Sequence, residues 1–203
     1  MADRLLDVLE EAQARGILGP GPVEAHIHHA RALAGLAGPA PTSFLDLGSG
    51  GGIPGLILAE EWPGARGILL ESRERRCAFL EWAVEALEAG GHVTVACGRA
   101  EDVARDPAFR ASVELVVARL FAPPAVTAEC AVGFLQPAGR LLVAEPPAAE
   151  GRRWPVDGLA ELGLTGPEVR RAAGVTAAIL RLSGPVDDRW PRRPGIPAKR
   201  RLW

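Results

Sequence analysis

The segment Phe44-Leu45-Asp46-Leu47-Gly48-Ser49-Gly50-Gly51-Gly52-Ile53-Pro54-Gly55 constrains this chain more than any other part of it. An apolar run reaches an acid at Asp46, glycines recur at every second position from Gly48 to Gly52, and a helical pattern follows. That order describes a strand, a tight loop and a helix N-terminus. Glycine gives the loop access to positive φ and lets a ligand approach bare backbone, and the unpaired N–H groups of the first helical turn face that ligand. The segment therefore reads as a seat for a nucleotide-like molecule.

Two ligands compete for it. Gly50-Gly51-Gly52-Ile53-Pro54-Gly55 satisfies G-x-G-x-x-G, the dinucleotide fingerprint, but a lone match is a weak signal. Asp46-x-Gly48-x-Gly50-x-Gly52 instead fits the first motif of S-adenosylmethionine-dependent methyltransferases. An acid at the strand end suits the ammonium and sulfonium of that molecule and is unwelcome beside a pyrophosphate. Pro54 also removes an N–H that a phosphate would use. S-adenosylmethionine is thus the expected cofactor, with Asp46, Gly48, Gly50 and Gly52 at its loop. Glu71 ends a second apolar run 19 residues after Gly52, where a carboxylate can accept both ribose hydroxyls. The same Glu71 also reads as a cap for the helix that starts beyond Ser72-Arg73-Glu74. Gly98-Arg99-Ala100-Glu101-Asp102 follows a third run, where a short loop would supply adenine contacts, and Glu101 reads equally as a helix N-terminal charge.

The rest of the chain alternates in the same way. Helical periodicity covers 3–15 and 22–37, ahead of breaks at Gly38 to Pro41. Strands are expected at Ser43–Leu47, Gly67–Glu71, Val93–Cys97, Val113–Ala118 and Arg140–Ala144, and helices at 52–61, 73–89 and 123–135. Pro167–Ala172 and Val175–Leu182 flank Gly174 as a hairpin. Strands spaced by helical stretches imply βαβ units and a parallel sheet. The expected fold class is α/β, a Rossmann-like class I methyltransferase sheet with a short N-terminal helical cap. The cap is placed at 1–40, the methyltransferase domain at 41–185, and a basic tail at 186–203 within the same globular unit.

Charge and cysteine usage bound the setting. Net charge is only −2, yet residues 189–203 hold six Lys/Arg and no acid, leaving −8 on the first 188 residues. An acidic body with a basic tail suggests a polyanionic partner. Trp190, Trp203 and the interspersed prolines indicate a tail that docks. No run approaches the roughly 18 apolar residues of a membrane helix, and the amphipathic, partly acidic N-terminus is unlike a signal peptide. Cys77, Cys97 and Cys130 have apolar neighbours and no paired spacing, so they read as buried thiols in a reducing, cytoplasmic setting. His26, His28 and His29 are spread over different faces of a helix without a completing acid or thiol, so no metal is expected. Trp62, Trp82 and Trp154 read as core or helix-packing residues.

With these motifs in place, the chain resembles the small-subunit ribosomal RNA methyltransferase G family (RsmG, also called GidB). The likeness lies in Phe44–Leu58 with its Ile53-Pro54-Gly55, in Glu71-Ser72-Arg73-Glu74-Arg75-Arg76-Cys77-Ala78-Phe79-Leu80, and in Gly98-Arg99-Ala100-Glu101. It continues through Val116-Val117-Ala118-Arg119-Leu120-Phe121-Ala122 to the tail Trp190-Pro191-Arg192-Arg193-Pro194-Gly195-Ile196-Pro197-Ala198-Lys199-Arg200, covering about 23–203. The Arg-rich composition with one lysine resembles actinobacterial members. The resemblance implies N7-methylation of one guanine in 16S rRNA, presented free or in the small subunit, by a monomer. It implies cofactor contacts at Gly48, Ile53, Ala100, Glu101 and Arg119. Arg119, at the end of the fourth strand, is the candidate catalytic residue, facing either the cofactor carboxylate or an RNA phosphate. Phe121 is placed to stack on an extruded base or to join the core. Arg192, Arg193, Lys199 and Arg200 are candidates for RNA binding.

Three departures from the family pattern fall on the substrate side. A longer N-terminal segment with a Leu-Leu-x-x-Trp-Asn-like stretch is missing. The family's His-hydrophobic-x-Asp-Ser appears as His26-Ile27-His28-His29-Ala30. Its Lys-Gly after the fifth strand appears as Glu145-Pro146, which replaces a phosphate contact with a charge that repels RNA. A methyltransferase acting on a small molecule or protein, and a non-catalytic nucleotide- or RNA-binding relative, remain alternatives.

Overall fold

Strands buried on both faces must be apolar almost throughout, and the runs at the centre of this chain are. A computed structural model describes residues 2–203. It forms β1 (Ser43–Leu47), β2 (Arg66–Glu71), β3 (Val93–Cys97), β4 (Val113–Ala118), β5 (Leu135–Glu145), β6 (Leu164–Ala172) and β7 (Val175–Leu182). They make one sheet in the order β3-β2-β1-β4-β5-β7-β6. β1 to β5 pair in parallel, and β7 lies antiparallel between β5 and β6. This is the expected methyltransferase sheet with its terminal hairpin.

Side chains alternate across that sheet into two apolar layers. Phe44, Leu69, Leu115, Val117, Leu142 and Ile179 pack beneath α1 (Ala2–Ala14), α2 (Val23–Leu36), α3 (Gly55–Glu61) and α4 (Glu74–Ala86). Leu45, Leu70, Val116, Leu141, Val143 and Leu180 face α5 (Ala100–Val103), α6 (Pro124–Val132), α7 (Val156–Glu161), Trp154 and Trp190. Leu5, Val8, Leu9 and Ala12 of α1 and Leu33 of α2 are buried in the first layer, so the cap helices share the core of the sheet. Each such side chain contributes about 1.5–3 kcal/mol of burial.

β5 starts earlier than its sequence suggests. Leu135 pairs with Val113, a register irregularity follows, and Ala138 takes φ 65 before Arg140 rejoins the ladder. The turn-like Gln136-Pro137-Ala138-Gly139 hides the strand's first half.

The cysteines correct one expectation. Cys77 of α4 and Cys97 at the end of β3 form a disulfide with Cα atoms 5.7 Å apart, and Cys97 is exposed. α4 packs directly on β3, bringing together two positions whose spacing carries no motif. Cys130 alone among the three is free, and burial pushes its thiol pKa up.

The tail docks on the second layer, followed by α8 (Ile196–Lys199). Trp190 is buried and donates its indole N–H to the Glu161 carbonyl at 3.0 Å. Trp203 lies on Gly158, where any Cβ would stand 2.3 Å from the indole, and its Nε1 donates to the Arg153 carbonyl at 3.1 Å. Trp62 meets Phe44 edge-on at 5.6 Å, Trp154 is fully buried, and Trp82 stays 40% exposed beneath the Arg15 guanidinium.

Candidate active site

Parallel pairing brings the carboxyl ends of β1 to β5 to one edge, and the strand order reverses between β1 and β4, where α/β sheets open a crevice. Two neighbouring cavities occupy it, sharing Leu120 and Phe121 as a common wall.

The first, of about 230 Å³, is lined by Gly48, the Glu71–Arg73 turn, Arg76 and the Gly98–Glu101 loop. Gly48, Gly50 and Gly52 adopt φ of 78, 55 and 92°. A Cβ on Gly48 would come within 2.6 Å of Phe121, and one on Gly52 within 2.3 Å of Leu56. Both conformation and space therefore exclude a side chain at these two positions. The Gly50 N–H donates to Glu71 Oε2 at 3.1 Å, while Glu71 Oε1 accepts the N–H groups of Ser72 and Arg73 at 2.7 and 2.9 Å. Glu71 thus lines the cavity and also braces the turn leading to α4.

Asp46 acts one layer deeper. Its buried carboxylate accepts the Gly55 N–H at 2.9 Å, holding the first turn of α3. Burial pushes its pKa up to about 7, with the Gly55 N–H pulling the other way. Asp46, Gly50, Gly52 and Ile53 lie outside the lining of this cavity. The loop turns the Gly50 N–H onto Glu71 and buries Ile53 in the core, so these residues shape the seat from behind.

Ala100 and Glu101 do line it. Glu101 Oε1 accepts the Gly195 N–H at 2.9 Å and faces Arg99 Nη2 at 3.0 Å. Burial works to raise its pKa, but the Gly195 N–H, its own N–H and Arg99 outweigh burial and hold it below the usual carboxylate range.

The second cavity, of about 370 Å³, opens at the ends of β4 and β5 beside α2. Arg119 lines this cavity and not the first, next to the Leu120–Phe121 wall that the two share. Its Nη2 lies 3.0 Å from His26 Nδ1, and burial lowers its pKa, opposed by Asp46. His29 also lines this cavity, and its pKa is lowered by burial and then by Arg119, which favours the neutral imidazole. Glu145 accepts the buried Trp154 Nε1–H at 3.1 Å and pairs with Arg153 at 3.0 Å. Its charge is balanced by Arg153, so the expected repulsion of RNA is corrected. Trp154 and Arg153 were not foreseeable as site residues, since a lone indole reads as core.

The basic tail divides. Arg192 donates to Glu129, which is only 1% exposed, at 2.8 Å from Nε and 2.6 Å from Nη2, so its charge is paired inside the fold. Arg193, Lys199, Arg200 and Arg201 are exposed. Among the described residues no group of three His, Cys, Asp or Glu could hold a metal.

The family model of rRNA small subunit methyltransferase G, GidB, matches residues 23–150. The chain belongs to this family. The ribosomal RNA small subunit methyltransferase G of Moorella thermoacetica is 35% identical over 176 residues, covering 81% of this chain and 71% of that protein. The protein of the same name from Symbiobacterium thermophilum is 36% identical over 193 residues, covering 88% and 78%. An O-methyltransferase from Bacillus cereus, solved in complex with SAH, superimposes with a TM-score of 0.60 over 91% of each chain at 16% identity, which establishes the shared fold. Against the GidB pattern, the departures at His29 and Glu145 line the same cavity.

Proposed function

We propose that this chain transfers a methyl group from S-adenosylmethionine to N7 of a guanine in 16S rRNA. The observation that carries the reading is the first cavity itself: bare backbone at Gly48 flanked by Glu71 and Glu101, in a member of an rRNA methyltransferase family. The residues fit the cofactor: Glu71 for the ribose hydroxyls, the Ala100–Glu101 backbone and carboxylate for the adenine edge, and Gly48 where a side chain would block approach. The bound cofactor supplies an electrophilic methyl group.

Guanine N7 carries a free lone pair and no proton, so no general base is required. The protein's task is to hold N7 in line with the donor and keep the base from drifting, and positioning of that kind supplies most of the acceleration. Arg119, on the far side of the Leu120–Phe121 wall, belongs to acceptor binding in this reading, through base or phosphate. Arg193, Lys199 and Arg200 form the exposed basic surface for the RNA backbone. The cap, sheet and docked tail act as one globular unit, monomeric and cytoplasmic, where ribosomal RNA is made and assembled.

Transfer of labelled methyl groups to 30S subunits and to naked 16S rRNA, followed by mapping of the modified base, tests this. Label at a guanine N7 is expected; unlabelled RNA with intact cofactor binding would favour a small-molecule or protein acceptor, or a non-catalytic binder.

A further inference from the structure

We propose that Glu145 reads the acceptor base as guanine, and that Arg153 holds its place until the base arrives. The inference rests on the methyltransferase reading above and names how the second cavity chooses its substrate.

Glu145 ends β5 in the wall of that cavity, with its side chain only 1% exposed. A carboxylate so buried needs partners, and it has two of different character. Oε1 takes the indole N–H of Trp154, which is itself 2% exposed and fixed in the core. Oε2 takes one N–H of Arg153, whose side chain is 45% exposed on the solvent side. One partner is permanent and the other is exchangeable.

The Watson–Crick edge of guanine presents N1–H and the 2-amino group side by side, the same guanidine fork that Arg153 presents. A carboxylate accepts from both at once. Adenine offers a lone pair at N1, which would face the buried carboxylate unpaired, and uracil offers one donor between two acceptors. Exchange of Arg153 for guanine therefore leaves Glu145 satisfied, and exchange for another base does not. The geometry of the purine then does the rest. N7 lies on the ring edge opposite the 2-amino group, so a base held on Glu145 by its Watson–Crick edge turns N7 away from Glu145, within a cavity that Leu120 and Phe121 also line and share with the first. The displaced guanidinium, already half in solvent, is free for an RNA phosphate.

The test compares guanine with inosine, which keeps N7, O6 and N1–H and lacks only the 2-amino group. Small-subunit RNA carrying inosine at the mapped position should show kcat/KM lower by about 10-fold or more with the wild-type chain. Glu145→Gln should slow the guanine substrate by about 10-fold or more, bring the guanine-to-inosine ratio toward one, and leave cofactor affinity by calorimetry unchanged. Arg153→Ala should keep the guanine preference. Calorimetry with free guanosine and inosine on the chain saturated with S-adenosylhomocysteine adds a readout independent of rRNA: guanosine binding that Glu145→Gln removes. If the wild type binds guanosine through Glu145 yet labels no RNA, the rRNA reading fails and this inference stands. A Glu145→Gln chain that discriminates guanine from inosine as well as the wild type, in transfer or in binding, overturns it, as does a wild type that shows neither guanosine binding nor guanine preference.

Discussion

Glu101 accepts the N–H of Gly195 at 2.9 Å, although the two residues are 94 positions apart. One oxygen in the wall of the first cavity thereby fastens the turn that leads the basic tail into α8. Cofactor seat and tail share a joint, so weakening either should be felt at the other. Glu101→Ala is expected to lower S-adenosylhomocysteine affinity about 10-fold and to speed tryptic cleavage at Lys199, Arg200 and Arg201. Limited proteolysis with and without ligand checks this; cleavage rates equal to wild type would show that other contacts hold the tail.

Gly48 and Phe121 form a second pair whose fit decides the seat. Gly48→Ala adds a Cβ within 2.6 Å of Phe121 at a φ of 78°, combining a clash with left-handed strain. Cofactor affinity should fall by about 10-fold or more. Adding Phe121→Ala relieves the clash but also removes the packing of that ring, so the double variant should lie within about 1–2 kcal/mol of Phe121→Ala alone, the residual strain of alanine in that conformation. Melting curves and calorimetry on both variants separate the two effects.

Much of this frame was legible because local and tertiary preferences agree. β1, β3, β4 and β7 lie where their apolar runs place them, since strands buried on two faces leave little freedom of register. β5 was half hidden because Pro137 and Gly139 look like a turn and are accommodated by an irregular register. α7 was missed because Gly158 weakens its helical pattern, and that glycine serves Trp203 from the far end of the chain. The cofactor seat was legible as a loop, but which of its residues face the cavity was not: Asp46 and Ile53 turn inward, while Phe121 turns over Gly48. The meeting of His29 and Glu145 in one cavity depends on α2 packing across β7 and β6, and no local pattern reports it.

Arg192 and its neighbours in the tail should behave differently. Arg192 is bound to the buried Glu129, so Arg192→Ala leaves that carboxylate without its counter-charge, holding only the backbone N–H of residue 192, and should destabilise the chain by about 3–5 kcal/mol. Replacing Arg193, Lys199 and Arg200 by glutamine should leave the melting temperature within a degree or two. It should instead weaken RNA binding and flatten the dependence of log affinity on log salt by up to about 0.7 to 0.9 for each lost phosphate contact. Filter binding over a salt series distinguishes the two classes; an unchanged slope in the triple variant would remove the tail from the RNA interface.

The Cys77–Cys97 bridge closes a segment of sequence separation 20, from the first turns of α4 to the end of β3. Loop closure of this size restricts the unfolded chain by about 3 kcal/mol. Cys77→Ser with Cys97→Ser, or reduction of the wild type, should lower the melting temperature by roughly 5–10 °C. Gly98–Glu101 begins directly after Cys97, so the same treatment should also weaken cofactor binding. Thiol titration of the folded and denatured protein gives the bonded fraction; three free thiols in the native, oxidised protein would refute the bridge.

Asp46 sets a pH dependence whose sign follows from its burial. The folded chain holds this carboxyl with a pKa of about 7, against 3.8 when exposed. Between those values the folded state keeps a proton that the unfolded state has released, so stability from this group is full below about pH 4 and declines as pH rises through 7. Asp46→Asn retains an oxygen for the Gly55 N–H and does not titrate. The melting temperature of the variant relative to wild type should therefore climb from about pH 4 to pH 7 and level off above it, in the variant's favour at the upper end. Because Asp46 holds α3 from behind the cavity, the same variant should bind S-adenosylhomocysteine within about threefold of wild type, while Asp46→Ala, which loses the bond to Gly55, should not. A flat difference across that range would mean that the folded carboxyl titrates like the unfolded one and that burial does not hold its proton.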